Sequence, residues 1–277
     1  TNYALPPEQF AKLQKELPGE VFTTRTLATY SYELNNKKAP FDNVNVRKAL
    51  NLSLDRNVIT DKVLGQGQTP TYVFTPTYIE EGHLIQQPAY SKEPMAQRNE
   101  EAIKLLEEAG YSKANPLKFS ILYNTNENHK KVAIAAASMW KANTKGLIDV
   151  KLENQEWKTY IDSRRAGRYD AARAGWNADY NQATTFGNYF LSNSSNNTAK
   201  YANPEYDKAI AESYVATDAE GRAKAYAKAE EILAKDFGIV PIFNYVNPRL
   251  VKPYVKGYSG KDPQDHIYLR NLYIIKH

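Results

Sequence analysis

Between residues 117 and 176 the chain alternates strand-like and helix-like stretches, and this constrains the fold more than any other feature. "PLKFSILYN" reads as a strand and "ENHKKVAIAAASMWKAN" as a helix running back from it. "IDVKLENQ" is the next strand, "EWKTYIDSRRAG" the next helix with Gly167 as its stop, and "RYDAARAGW" another strand. A β-α-β-α-β order implies parallel strands joined by right-handed crossovers. Open α/β sheets bind ligands at the carboxyl ends of their strands, where the loops fan out. "DAARAGWNADYN" places Arg173 and Asp179 close to that edge.

The flanking regions are less regular. Pro6 to Leu17 reads as a short helix, and "EVFTTRTLATYSYEL", rich in Thr, Tyr and Val, as a long strand. "VNVRKALNLSL" and "DRNVITDKVLG" carry helical spacing, with Gly65 as a C-cap. Residues 66–95 have no clear period and form a long loop of the kind often found near function. "AQRNEEAIKLLEEAGY", closed by Gly110, "PEYDKAIAESYVA" and "AEGRAKAYAKAEEILAKD", N-capped by Asp218, are helices. "GIVPIFNYVNPRLV" and "IYLRNLYII" are strand candidates. The layout predicts a discontinuous architecture. Residues 30–238 form one α/β domain, and the two ends pair with each other or with something further, being too small to bury a core alone.

Composition removes several classes of function. The 277 residues, 42% hydrophobic, suffice for a packed core, and no window approaches 18 uninterrupted apolar residues. "TNYALPPEQF" has no initiator Met, basic n-region or apolar h-region, and reads as an internal or processed start. Without cysteine there are no disulfides, thiolate nucleophiles or Cys-ligated metals. The histidines at 83, 129, 266 and 277 make no HExxH or i, i+4 pair, so no metal site or other cofactor is expected. A pI near 9.0 hints at nucleic acid. Against that, the 36 basic residues are spread out and offset by 31 acidic ones. The 21 tyrosines suit a stacking platform for single strands or a groove for polar organic ligands.

Chemistry-bearing residues are few. Asp170 and Asp179 could be an acid–base pair only at a defined separation across a substrate. There is no G-x-S-x-G, and "GQGQTP" lacks the following GK[ST] of a phosphate loop. Arg173 and Asp179 could hold the two ends of a zwitterion, with Trp176 as an apolar wall and Gly175 admitting a ligand backbone. Equally open is an internal Arg173–Asp179 salt bridge beside a core tryptophan. His129, at a helix start on the same sheet edge, is a polar cap or a ligand contact.

"RAGWNADYN" resembles the R-A-G-W-x-A-D-Y signature of periplasmic oligopeptide-binding proteins, the soluble receptors of ABC-type peptide importers (solute-binding protein family 5). "YELNNKKAPFDNVNVRKALNLSLDR", "LYNTNENHKKVAIAAASMWK", "NQEWKTYIDSRRAG", "LSNSSNNTAKY" and the stretch from "YVNPRLVKPYVKGYSG" to the terminus match it too, so the resemblance covers essentially the whole chain. It implies a type II periplasmic-binding-protein-like α/β lobe, with a mixed, largely parallel sheet flanked by helices. It also implies only the C-terminal half of a two-lobed receptor. Residues 1–29 would be first-lobe tail plus hinge strand, 30–238 the third domain, and 239–277 the return segment.

The implied activity is non-enzymatic capture of peptides of about two to five residues in an interlobe cleft, in the periplasm, for delivery to membrane permease subunits. Asp179 matches the carboxylate that pairs with the peptide α-amino group, and Arg173 and His129 the cationic groups that receive its carboxylate. Gly175 and Asn177 offer backbone, and Trp157, Arg164, Trp176 and Tyr245 line the cleft. Two departures stand out. A disulfide present in some relatives falls at Ala28 and Asn177, and a lysine used for longer peptides falls at Leu64. Murein tripeptide and haem are related solutes on the same fold, and a carboxylate-based hydrolase is the rival from another class. Exposed first-lobe segments are expected to pair between copies of such a half.

Overall fold

The computed structural model describes residues 5–276; residues 1–4 and His277, both touched on above, lie outside the described residues. In chain order the elements are α1 (Pro7–Glu16), β1 (Val21–Leu34), α2 (Val44–Leu52), β2 (Thr69–Pro70), α3 (Met95–Glu108), β3 (Leu117–Asn124), α4 (Glu127–Asn143) and β4 (Ile148–Gln155). There follow α5 (Trp157–Arg165), β5 (Ala171–Asn177), α6 (Thr184–Gly187), α7 (Pro204–Val215), α8 (Ala219–Lys235), β6 (Ile239–Leu250), β7 (Val255–Lys256) and β8 (Tyr273–Ile274). "DRNVITDKVLG" departs from the expected α-helix: Val58–Leu64 is a π-helix, ended by Gly65 in the left-handed region, whose N–H reaches back to the Thr60 carbonyl.

Six strands form one sheet in the order β2-β6-β1-β5-β3-β4. β3 runs parallel to β4 and β5, as the alternation predicts, with α4 and α5 as the crossovers. β1 closes the sheet from the other side, antiparallel to both β5 and β6. The two ends of the chain therefore do pair: Val21–Arg25 of β1 lies opposite Val246–Leu250 of β6. The register of β1 on β6 shifts twice, between Arg25 and Thr29 and between Tyr30 and Ser31. "IYLRNLYII" forms only the two-residue β8, paired with β7 in a small separate ribbon.

As a central strand, β1 is buried on both faces from Thr26 to Leu34, which erases the simple polar–apolar alternation. Its even-numbered residues Tyr30, Tyr32 and Leu34 enter a core with Val46, Leu50, Ile121, Val132 and Trp140. Leu27, from the odd-numbered set, enters a second core with Phe74, Phe186, Ile210 and Leu233. This pattern fixes the faces of β5, because Arg173, Gly175 and Asn177 lie opposite Tyr32, Tyr30 and Ala28. All three share the face on which α4 begins.

Candidate functional site

A cleft of about 650 Å³, within the range of small-ligand sites, opens at the carboxyl ends of the parallel strands. Of the residues expected to bind, His129, Trp157, Arg173, Gly175, Asn177 and Tyr245 line it. Three of these come from one face of β5, two from the starts of the helices after β3 and β4, and Tyr245 from β6. The placement follows from the topology: each crossover helix begins where its parallel strand ends.

Arg173 is at the centre. Its guanidinium donates through Nη2 to the Tyr245 hydroxyl and through Nη1, at 3.5 Å, to Asn124 Oδ1. It sits 5.2 Å from the Tyr30 ring centroid, and its buried Nε has no partner among the described residues. No carboxylate pairs with Arg173 among the described residues, so the internal Arg173–Asp179 salt bridge is not formed. A Cβ at Gly175 would stand 2.8 Å from Arg173 Nη2 and 3.1 Å from the Tyr245 hydroxyl. Gly175 thus clears space for this arginine–tyrosine pair, where sequence reasoning had it clearing space for a ligand.

His129 is held by its backbone: Asn126, the N-cap, accepts from the amides of Asn128 and His129. The polar-cap role therefore belongs to Asn126, and the imidazole is left for the cleft, tilted on Tyr30 at 5.6 Å. Burial, reinforced by the Arg173 charge, pushes its pKa down to about 3. The imidazole is neutral beside Arg173, whereas the resemblance implied a second cation. Trp157, 57% exposed, stacks on Tyr160 at the rim.

The remaining expected residues lie elsewhere. Asp179 follows β5 as an exposed residue, its carboxylate accepting only from the Thr185 hydroxyl at 3.2 Å. Trp176 faces the opposite side of the sheet, where its indole N–H donates to the Thr185 carbonyl and its ring packs edge-on against Tyr189. Arg164 is buried in an ion pair with Glu33 at 2.9 Å and donates to Tyr189 and Thr198, outside the cleft lining. Asp170 precedes β5, bound to Lys38 at 2.6 Å and to Ser120. Asp170 and Asp179 thus lie beyond opposite ends of β5 (Ala171–Asn177), a strand about 20 Å long at roughly 3.3 Å per residue. No acid–base pair is possible at that separation. Sequence reasoning missed Asn247 and the Arg249–Asp265 ion pair, which also line the cleft. The clustered charges of "DPQDH" were the available signal.

Residues 2–198 match the family model "Bacterial extracellular solute-binding proteins, family 5 Middle". The chain belongs to this family. Among family 5 relatives it is 96% identical over 277 residues to the periplasmic oligopeptide-binding protein OppA of Haemophilus influenzae, covering 100% of this chain and 51% of that protein. It is 43% identical over 274 residues to the Escherichia coli periplasmic murein peptide-binding protein MppA, covering 99% of this chain and 50% of that one. The solved structure of Haemophilus influenzae OppA in complex with RPPGFSPFR superposes with a TM-score of 0.94 at 95% identity, over 100% of this chain and 54% of that one. The Escherichia coli MppA structure gives 0.91 at 43% identity, over 99% and 53%. The chain therefore spans about half the length of the curated relatives it matches. The family-5 lobe expected from the signature is the fold observed. Ala28 and Asn177, where some relatives are expected to carry a disulfide, lie directly opposite each other across β1 and β5.

Proposed function

We propose that this chain is the C-terminal half of a non-enzymatic periplasmic receptor that captures peptides in a cleft between two lobes and hands them to the permease subunits of an ABC importer. The observation that carries this reading is Arg173, a cation in the cleft floor whose partners are all neutral. Such a group is stabilised by an incoming carboxylate, which its own chain does not supply. Asp179, exposed at the far end of β5, offers the complementary charge for an α-amino group. Six residues at about 3.3 Å each set an upper span of about 20 Å between them, the length of a short extended peptide. The relative solved with RPPGFSPFR, a nine-residue peptide, supports a ligand range wider than the two to five residues expected.

The test is calorimetry of the full-length receptor with trialanine. Asp179→Ala should weaken binding at least about tenfold, because the ammonium loses its partner. Unchanged binding removes the assignment. Murein peptide and haem, tried in the same assay, measure how far the site extends to related solutes. Peptide recovered intact after long incubation separates a receptor from a hydrolase. The isolated half should bind trialanine far more weakly than the whole, since half the cleft walls are missing. Tyr273 and Ile274 on β8 and Leu269 in the turn before it, 61%, 69% and 77% exposed, make self-association of the isolated half the expected result in light scattering.

A further inference from the structure

Asp179 is exposed, yet its carboxylate is not left to swing. Thr185, buried in α6, stands behind it and meets it twice. Thr185 Oγ1 lies 3.2 Å from the Asp179 amide nitrogen and 3.2 Å from Asp179 Oδ2. The Trp176 indole N–H also reaches Oγ1, at 3.3 Å, besides the Thr185 carbonyl at 3.0 Å. An amide and an indole can only donate, so together they take both lone pairs of the hydroxyl. Its single proton is left for the one acceptor of the three, the Asp179 carboxylate.

We infer that Thr185 is a positioning residue for recognition of the ligand's amino terminus. Its hydroxyl turns Asp179 Oδ2 inward, leaves Oδ1 facing the ammonium, and so sets how sharply a free α-amino group is preferred over an acylated one. The inference rests on the reading of Asp179 given above. Oδ1 accepts no hydrogen bond among the described residues, so its lone pairs are open to a ligand. Thr185 itself is fixed from both sides. The Thr184 hydroxyl is bonded to the Tyr226 hydroxyl at 2.6 Å, and Phe186 is buried in the second core. A carboxylate held by such an anchor loses less rotamer freedom when the ammonium arrives than a free surface aspartate would.

A threonine that only tied Trp176 to α6 would not need its hydroxyl, because the indole already has the Thr185 carbonyl. The hydroxyl is what joins the tryptophan, the Asp179 amide and the Asp179 carboxylate in one network. At 3.2 Å its contact with Oδ2 is long for an O–H···O bond, so it orients the carboxylate without competing strongly for its charge.

The experiment is calorimetry on the full-length receptor with trialanine and N-acetyltrialanine, which lacks the ammonium. Thr185→Val keeps the shape and removes the hydroxyl; it should weaken trialanine by about three- to tenfold and leave N-acetyltrialanine within about twofold of the wild type. Thr185→Ser, which restores the hydroxyl, should bring trialanine back to within about twofold. In an Asp179→Ala background, Thr185→Val should change trialanine binding by less than about twofold, because the group it positions is gone. A Thr185→Val loss that is absent, is equal for the two peptides, persists in full without Asp179 or is shared by Thr185→Ser overturns the proposal. Asp179→Ala without effect on trialanine overturns instead the reading of Asp179 beneath it.

Discussion

Two arginines on consecutive elements, Arg164 buried and Arg173 half-buried, divide structure from function. Arg164 on α5 lies 5.7 Å from the Tyr160 ring, and Tyr160 donates its hydroxyl to the carbonyl of Arg173 on β5. They are close neighbours with the same chemistry. Arg164 is answered by Glu33, whose carboxylate also accepts from Tyr189 and Thr198. Arg173 is answered only by a tyrosine hydroxyl, an asparagine oxygen and a ring face. A cation whose anion comes from its own chain holds the fold together. A cation whose anion is missing from its own chain is set to meet one from outside.

The largest effect that can break this contrast is Arg164→Ala. It leaves Glu33, 0% exposed, without a counter-charge, and should cost about 3–5 kcal/mol in urea denaturation. Arg173→Ala leaves no carboxylate behind and should cost less than about 1 kcal/mol in the same measurement. Its effect appears in the intact receptor, where affinity for trialanine should fall by about 2–4 kcal/mol while that for trialanine amide barely changes. Stability losses of equal size for the two alanines would erase the distinction.

Glu230 sharpens the comparison from the other sign. Among the described residues this buried carboxylate has no cation either, yet it is saturated by its own chain: the amides of Phe74 and Thr75 and the Thr75 hydroxyl all donate to it. Burial raises its pKa above the ordinary value. Between the unfolded and the folded value the folded state binds more protons than the unfolded one, so the contribution is fully present below the unfolded value and is lost as pH rises through the folded one. Glu230→Ala should destabilise by about 1–3 kcal/mol at neutral pH, and Glu230→Gln by less, because the amide oxygen still accepts. An unbalanced buried charge marks a ligand site only when its hydrogen-bonding capacity is also left open, as at Arg173 Nε.

The parallel half of the sheet was legible because strand and helix periods alternate cleanly from residue 117 to 176, and that topology placed Arg173, Gly175, Asp179 and His129 near one edge, with Asn177 added by the family resemblance. What stayed hidden was set by residues distant in sequence. Arg164 and Arg173 look alike until β1 brings Glu33 to one of them. The facing of Trp176, away from the cleft, follows from its register opposite Thr29. The role of Gly175 depends on Tyr245, which arrives from β6. The π-helix at Val58–Leu64 reads as ordinary helix because its apolar spacing differs little from the α pattern over seven residues. α6 went unread in "ATTFGNYF", a stretch too short to show a period.

The smallest expected effect concerns His129, beside Arg173. Its pKa of about 3 lies below the unfolded value of 6.5, so between those limits the unfolded chain binds more protons than the folded one. Stability should therefore fall as pH drops below 6.5, by up to about 1 kcal/mol over the first unit, reduced where solvent reaches the ring. Urea denaturation at pH 7 and pH 5.5 should show this loss in the wild type and a smaller one in His129→Asn. A peptide carboxylate seated on Arg173 offsets the charge that, after burial, holds the imidazole down. The ring then gains basicity, so trialanine binding near pH 5.5 should take up part of a proton, seen as a binding enthalpy that changes with the ionisation heat of the buffer. Trialanine amide should show no such dependence, and an equal dependence for both peptides would mean that the proton responds to closure of the cleft and not to the ligand's charge.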